Sequence, residues 1–122
     1  PRDGIEKSSI IEKNEKAAVE RLTRLSQVQA QFKAEKGRYA TARDLMRRRR
    51  AASGARLRGN QWMAQGYRFF LEVPRPDFYF VLAVPINYGQ SGIHSFYLDA
   101  RGVIHRADKQ GARATASDPI WR

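Results

Sequence analysis

The chain has 122 residues, 42% of them hydrophobic and 29% charged, which suits one domain burying roughly two thirds of its unfolded surface and excludes a disordered polymer. Lys and Arg number 23 against 12 Asp and Glu, a formal charge of +11, so nucleic acid, lipid headgroups and acidic proteins enter as partner classes. The absence of cysteine excludes disulfides, thiolate metal sites and thiol catalysis, while either redox compartment fits.

The chain opens on Pro1 rather than Met and shows no signal-peptide pattern, so a processed or trimmed part of a longer chain is expected. Residues 8–36 read as one long helix. Ser8 or Ser9 can cap it, Glu12 completes a capping box with Ser9, and no Pro or Gly follows until Gly37. Ile11, Ala18, Leu25 and Phe32 recur every seven residues, with Leu22 and Val28 beside the last two. One stripe is therefore apolar, and Leu22, Leu25, Val28 and Phe32 are the expected helix–sheet core. The polar stretch from Glu12 to Lys16 is expected to project beyond the globular body. A coiled coil competes with the packed helix, but Asn14 and Arg21 stand where a second apolar seam belongs.

Gly37 suits the left-handed residue that ends a helix, and Thr41 with Asp44 can cap a short helical turn through Leu45 and Met46. Residues 37–65 then form a basic connecting region. Across residues 37–68 the net charge is +8, against +2 before and +1 after. Arg43, Arg47, Arg48, Arg49, Arg50, Arg56 and Arg58 concentrate it. This segment reads either as a continued helix followed by a loop or as a basic loop throughout.

From residue 66 to 108 the period changes to that of strands. Tyr67 to Val73 and Phe78 to Val84 flank Pro74-Arg75-Pro76-Asp77, the chemistry of a hairpin turn. The longest apolar run, Phe78 to Ile86, holds Pro85 and is far short of the ~18 to 20 residues of a bilayer span. After a Gly-bearing loop at 87–92, Ser95 to Leu98 and Val103 to Arg106 form a second hairpin, with Gly102 supplying the positive φ. Residues 109–122 are a tail whose Trp121 can dock on the body. The expected fold is one α+β domain over 1–122, a long N-terminal helix on a four-stranded antiparallel sheet. Of the strand aromatics Phe69, Phe70, Phe78, Tyr79, Phe80, Phe96 and Tyr97, most are expected in the core, because alternate residues must face the helix.

Catalytic chemistry finds little support. His94 and His105 are the only histidines, no H-E-x-x-H accompanies them, and they read as exposed strand residues. Ser91 in Gly89-Gln90-Ser91-Gly92 misses the G-x-S-x-G spacing and reads as a turn. No phosphate-binding glycine motif or paired catalytic carboxylates are evident, and Asp99, Asp108 and Asp118 do not make a dense calcium cluster. No enzyme, metal or cofactor is expected. The arginines of residues 43–58 are the candidate site for DNA or another polyanion, with Trp62, Tyr67 and Tyr39 as stacking partners. The competing reading is a solvated loop, or one pairing with acidic patches of neighbouring subunits.

In helix and exit, Ala17-Ala18-Val19-Glu20-Arg21-Leu22, Ala30-Gln31-Phe32, Lys36-Gly37-Arg38-Tyr39 and Asp44-Leu45 stand in order. Gly66-Tyr67-Arg68-Phe69, Ala83-Val84-Pro85, Gly92 to Asp99, Gly102-Val103-Ile104 and Asp118-Pro119 follow. This succession, from about Glu15 to Trp121, resembles type IV pilin-like proteins, including the type II secretion pseudopilins. The resemblance implies a structural subunit of a filament that serves secretion or cell adhesion. Its partners are then copies of itself or other pilin-like subunits. A hydrophobic half-helix before the present chain would anchor it in the bacterial inner membrane until assembly, with the head periplasmic or extracellular. Two different classes stand side by side: a filament subunit, and a basic nucleic-acid-binding module acting through residues 43–58.

Overall fold

The computed structural model describes residues 2–49 and 59–121, with side chains described over 8–47 and 59–121. Helix α1 (Arg2–Lys36) runs for 35 residues, about 50 Å at the α-helical rise. It is helical throughout the expected 8–36 stretch but begins earlier, so Ser8 and Ser9 lie exposed within it and not at a cap. Its buried line is Ile11, Ala18, Val19, Leu22, Gln29 and Phe32, with Leu25 and Val28 half-buried beside it. That line follows the i, i+3, i+4, i+7 rule of an amphipathic helix. The helix ends at Gly37, whose φ of +76° lets its N–H turn back to Lys33 O at 2.8 Å. Helix α2 (Ala42–Arg49) follows after a five-residue connector. Its first turn is closed as the sequence leads one to expect: the Asp44 N–H donates to Thr41 Oγ1 (3.2 Å) and the Thr41 N–H to Asp44 Oδ2 (2.9 Å).

Five strands form one antiparallel sheet in sequential order, β1 (Gln61–Ala64), β2 (Tyr67–Arg75), β3 (Phe78–Pro85), β4 (His94–Leu98) and β5 (Ile104–Asp108). The four-strand expectation is corrected by β1. Only four residues long, it pairs Gln61 with Phe70 and Ala64 with Tyr67 across a turn at Gln65-Gly66, inside what the sequence presents as a basic loop region. The other strands fall where the aromatic and β-branched runs place them.

Strand alternation divides the sheet into two faces. The first carries Tyr67, Phe69, Leu71, Tyr79, Val81, Ala83, Phe96, Leu98 and Ile104, which pack with Ala18, Val19 and Leu22 into the main core. Fully burying one such Leu or Phe contributes about 1.5 to 3 kcal/mol. Phe32 is buried outside this cluster, with the Arg38 guanidinium 5.1 Å above its ring. Helix α1 runs along β4. Glu15 binds the amides where β4 starts, and Ser26 lies against Gly102 just past its end, where a Cβ on Gly102 would sit 2.8 Å from the Ser26 hydroxyl. Gly102 also has φ +85°, as its turn requires.

The second face carries Phe70, Phe78, Phe80, Leu82, Val84, Tyr97 and His105, and the C-terminal tail crosses part of it. The Ser95 hydroxyl donates to Ala112 O (2.6 Å), Ala114 is buried, and Arg113 stands 5.0 Å over the Phe70 ring. The tail then turns along the outer edge of β5, where Arg106 N–H donates to Pro119 O (2.8 Å) and Trp121 N–H to Ile104 O (2.7 Å). One sheet edge is thereby covered. Trp121 docks through its backbone, while its indole remains exposed.

Candidate functional site

The basic segment is placed in part. Arg43 and Arg47 are exposed on α2, which also carries Arg48 and Arg49 in its backbone. The side chains of those two, and the whole of Arg50, Arg56 and Arg58, lie outside the described residues. Ala42 and Leu45 turn the opposite side of α2 into the core, which leaves the arginine positions at 43 and 47 to solvent. Arg38 does not join them as an open cation, because it binds Asp44 at 2.8 Å. The Arg38 hydrogen bond, aided by Thr41, holds the Asp44 carboxyl down at about 2.

Gln29 fixes the connector that presents α2. Fully buried, its amide nitrogen donates to Ala40 O (2.8 Å) and its amide oxygen accepts from Ala40 N–H (2.7 Å). Both polar groups of one buried peptide residue are satisfied by one side chain. The Tyr39 N–H meanwhile donates to Pro76 O (2.9 Å), tying the connector to the β2–β3 turn.

The aromatics expected to stack beside the arginines are engaged elsewhere. Tyr67 is fully buried and donates to His94 O (2.6 Å). Trp62 stacks on Phe69, with centroids 5.5 Å apart and planes 8° apart, and Tyr39 leans on Tyr79 at 4.6 Å. Trp62 and Tyr39 are themselves half-buried, and a further row of half-buried rings lies on the second sheet face. Phe80 and Tyr97 stack at 5.4 Å and 17°, Phe78 lies 6.1 Å from Phe80, and the Arg75 guanidinium stands 5.4 Å over Phe78.

Both histidines depart from the expectation of exposed strand residues. His94 is half-buried, its Nδ1 2.9 Å from Glu15 Oε1, and Glu15 Oε2 also accepts the N–H groups of Ile93 (3.0 Å) and His94 (3.1 Å). Asn14 adds a bond from Nδ2 to Ser91 O at 3.0 Å. The polar stretch of α1 therefore docks on the sheet and does not project from it. Its signal was present in the sequence: positions 14 and 15 lie on the same helix face as Ile11 and Ala18.

His105 is buried, with Nε2 3.0 Å from Asp99 Oδ2 and Nδ1 2.9 Å from Asp118 O. Asp99 also accepts from the Arg101 side chain (3.0 Å) and the N–H groups of Arg101 (2.9 Å) and Val103 (3.2 Å). Burial pushes the Asp99 carboxyl up, but these donors together outweigh it and hold the group below its ordinary value. Asp108 accepts from the Tyr88 hydroxyl (2.8 Å), and Asp118 from Thr115 N–H (2.8 Å) and Lys109 (3.2 Å). Among the described residues, no three His, Asp or Glu side chains are grouped as a metal site requires. Ser91 closes its own loop, its hydroxyl accepting from Asn87 N–H at 2.9 Å. These contacts are ties between helix, sheet and tail, and none holds a nucleophile beside a base in a cleft.

Among the described residues, no helix is long and apolar enough to cross a membrane. Comparison of the chain with protein-family models, curated proteins and solved structures finds no match.

Proposed function

We propose that this chain is the globular part of a type IV pilin-like filament subunit, structural and not catalytic, that works by helical self-assembly. The observation that supports it best is the reach of α1. The helix is formed from Arg2, whereas its first buried side chain among those described is Ile11. An apolar helical segment preceding Pro1 would continue α1 in line. The remainder of α1 is locked along β4 by Glu15 and by the Leu22 core, so strain on such a segment passes directly into the sheet. A long N-terminal helix covered by a sequential antiparallel sheet is compatible with the pilin-like arrangement that the sequence resembles.

In this reading the subunit is held in the bacterial inner membrane before assembly and its head is periplasmic or extracellular, with neighbouring subunits as partners. Filaments sheared from cells that express the native gene test it. The protein is expected in the sheared fraction and decorating fibres by immunogold microscopy. Recovery only as a freely diffusing protein of the cell interior would reject it.

A further inference from the structure

We propose that the second face of the sheet is a binding surface for single-stranded nucleic acid, read by the rings of Phe78, Phe80 and Tyr97 between the cations Arg75 and Arg113. The inference goes beyond the filament reading and does not depend on assembly. Alternation along β3 and β4 puts the three rings on the face turned away from α1, and each is only half-buried. The Phe80–Tyr97 stack crosses the two central strands, with Phe78 continuing the row toward the β2–β3 turn.

The flanking charges match such a ligand. Arg75 and Arg113 are exposed, and their guanidinium groups rest over the rings of Phe78 and Phe70 at 5.4 and 5.0 Å. A guanidinium lying on a ring can turn to a phosphate while the ring becomes available to a base. Two carboxylates accompany them. Glu72, half-buried and directly cross-strand from Phe80, accepts a hydrogen bond from Asn60, and the exposed Asp77 lies 3.6 Å from the exposed Arg75. Such an exposed pair contributes little and yields readily to a phosphate. Most of the chain's excess charge lies in residues 37–68, away from this face, so the preference for a polyanion here rests on the Arg75 and Arg113 guanidinium groups beside the rings. Aromatic rings that are open on a sheet, and not a helix shaped for a groove, favour unpaired bases over a duplex.

Fluorescence polarisation of the purified chain with a labelled oligothymidylate of about 20 nucleotides tests this. Binding is expected to weaken steeply with salt and to exceed binding of a duplex of the same length. Phe80→Leu and Tyr97→Leu are each expected to weaken it about ten-fold. Should either variant unfold, the double change Arg75→Glu with Arg113→Glu at exposed positions gives the same readout. Three results would overturn the proposal. One is no binding at low salt. Another is equal binding of single strand and duplex that ignores the ring variants and falls only with Arg43→Ala and Arg47→Ala. The third is self-association in sedimentation velocity, abolished by Phe80→Leu, without oligonucleotide binding, which would assign the face to a second copy of the chain.

Discussion

His105 Nε2 lies 3.0 Å from Asp99 Oδ2 inside the protein, while its other ring nitrogen faces Asp118 O at 2.9 Å. Both ring nitrogens face oxygen atoms of other segments. One side chain thus ties the β4–β5 turn to the tail, in a chain without a disulfide to do so.

His105→Phe is expected to leave Asp99 short of a donor and to free the tail. Leaving a buried acceptor without its donor costs about 1 to 3 kcal/mol, and Asp99 keeps its bonds from Arg101 and Val103. Urea unfolding measures the loss, and hydrogen exchange is expected to quicken first at the amides of Arg106 and Trp121, which pair the tail with β5. Unchanged exchange at those two amides would show that the tail is held by other contacts.

Both limbs of the pH–stability profile follow from the shifted groups. Asp44 at about 2, and Asp99, Asp108 and Asp118 in the same direction, have folded-state values below the ordinary carboxylate range. Their stabilisation is complete above the unfolded value of about 4 and is lost as pH falls through the lower folded values. Burial raises Tyr67, and raises Tyr79 to about 12. For these the folded state holds the proton longer, so stability is full below the unfolded value of about 10 and falls as pH rises toward about 12. Thermal melts across pH are expected to show a plateau between these limbs, and Asp99→Asn is expected to flatten the acid one.

Gln29→Ala is expected to remove the partners that its side chain gives the N–H and C=O of Ala40 at 2.7 and 2.8 Å. Each orphaned group costs about 1 to 3 kcal/mol. Exchange at α2 should rise more than at the sheet, because the clasp fixes the connector that leads into that helix. A uniform change would mean that α2 is held by Ala42 and Leu45 alone.

Gly92→Ala is expected to destabilise by more than about 2 kcal/mol, an overpacking cost. A Cβ there would stand 2.3 Å from the Tyr67 hydroxyl oxygen, and that ring is fully buried with its hydroxyl bound to His94 O. Its thermal midpoint compared with that of the parent chain is the check.

The main elements were legible because their signals are local. The heptad-spaced Ile11, Ala18, Leu25 and Phe32, the Thr41–Asp44 cap and the two hairpins each declare themselves within a few residues. Strand β1 was not legible: four residues beside an arginine-rich stretch carry too little alternation, and its pairing with β2 comes from a turn that Gln65 makes at φ +45°. The roles of Glu15, Gln29, His94 and His105 were hidden for another reason. Their partners lie 79, 11, 79 and 6 positions away in the chain, and which polar residue meets which is decided only when helix and sheet pack. The stacking aromatics were misplaced likewise, because proximity in sequence to the arginines says nothing of which sheet face a ring takes.

In the proposed filament subunit, α1 continues into an apolar, membrane-anchoring segment. The most direct measurement is the mass and N-terminal sequence of the protein extracted from the membranes of its own cells. The expected result is an apolar stretch of about 20 residues running without interruption into α1, recovered in detergent and absent from the soluble fraction. A native protein that starts within a few residues of Pro1 and needs no detergent would rule out a filament subunit of this kind.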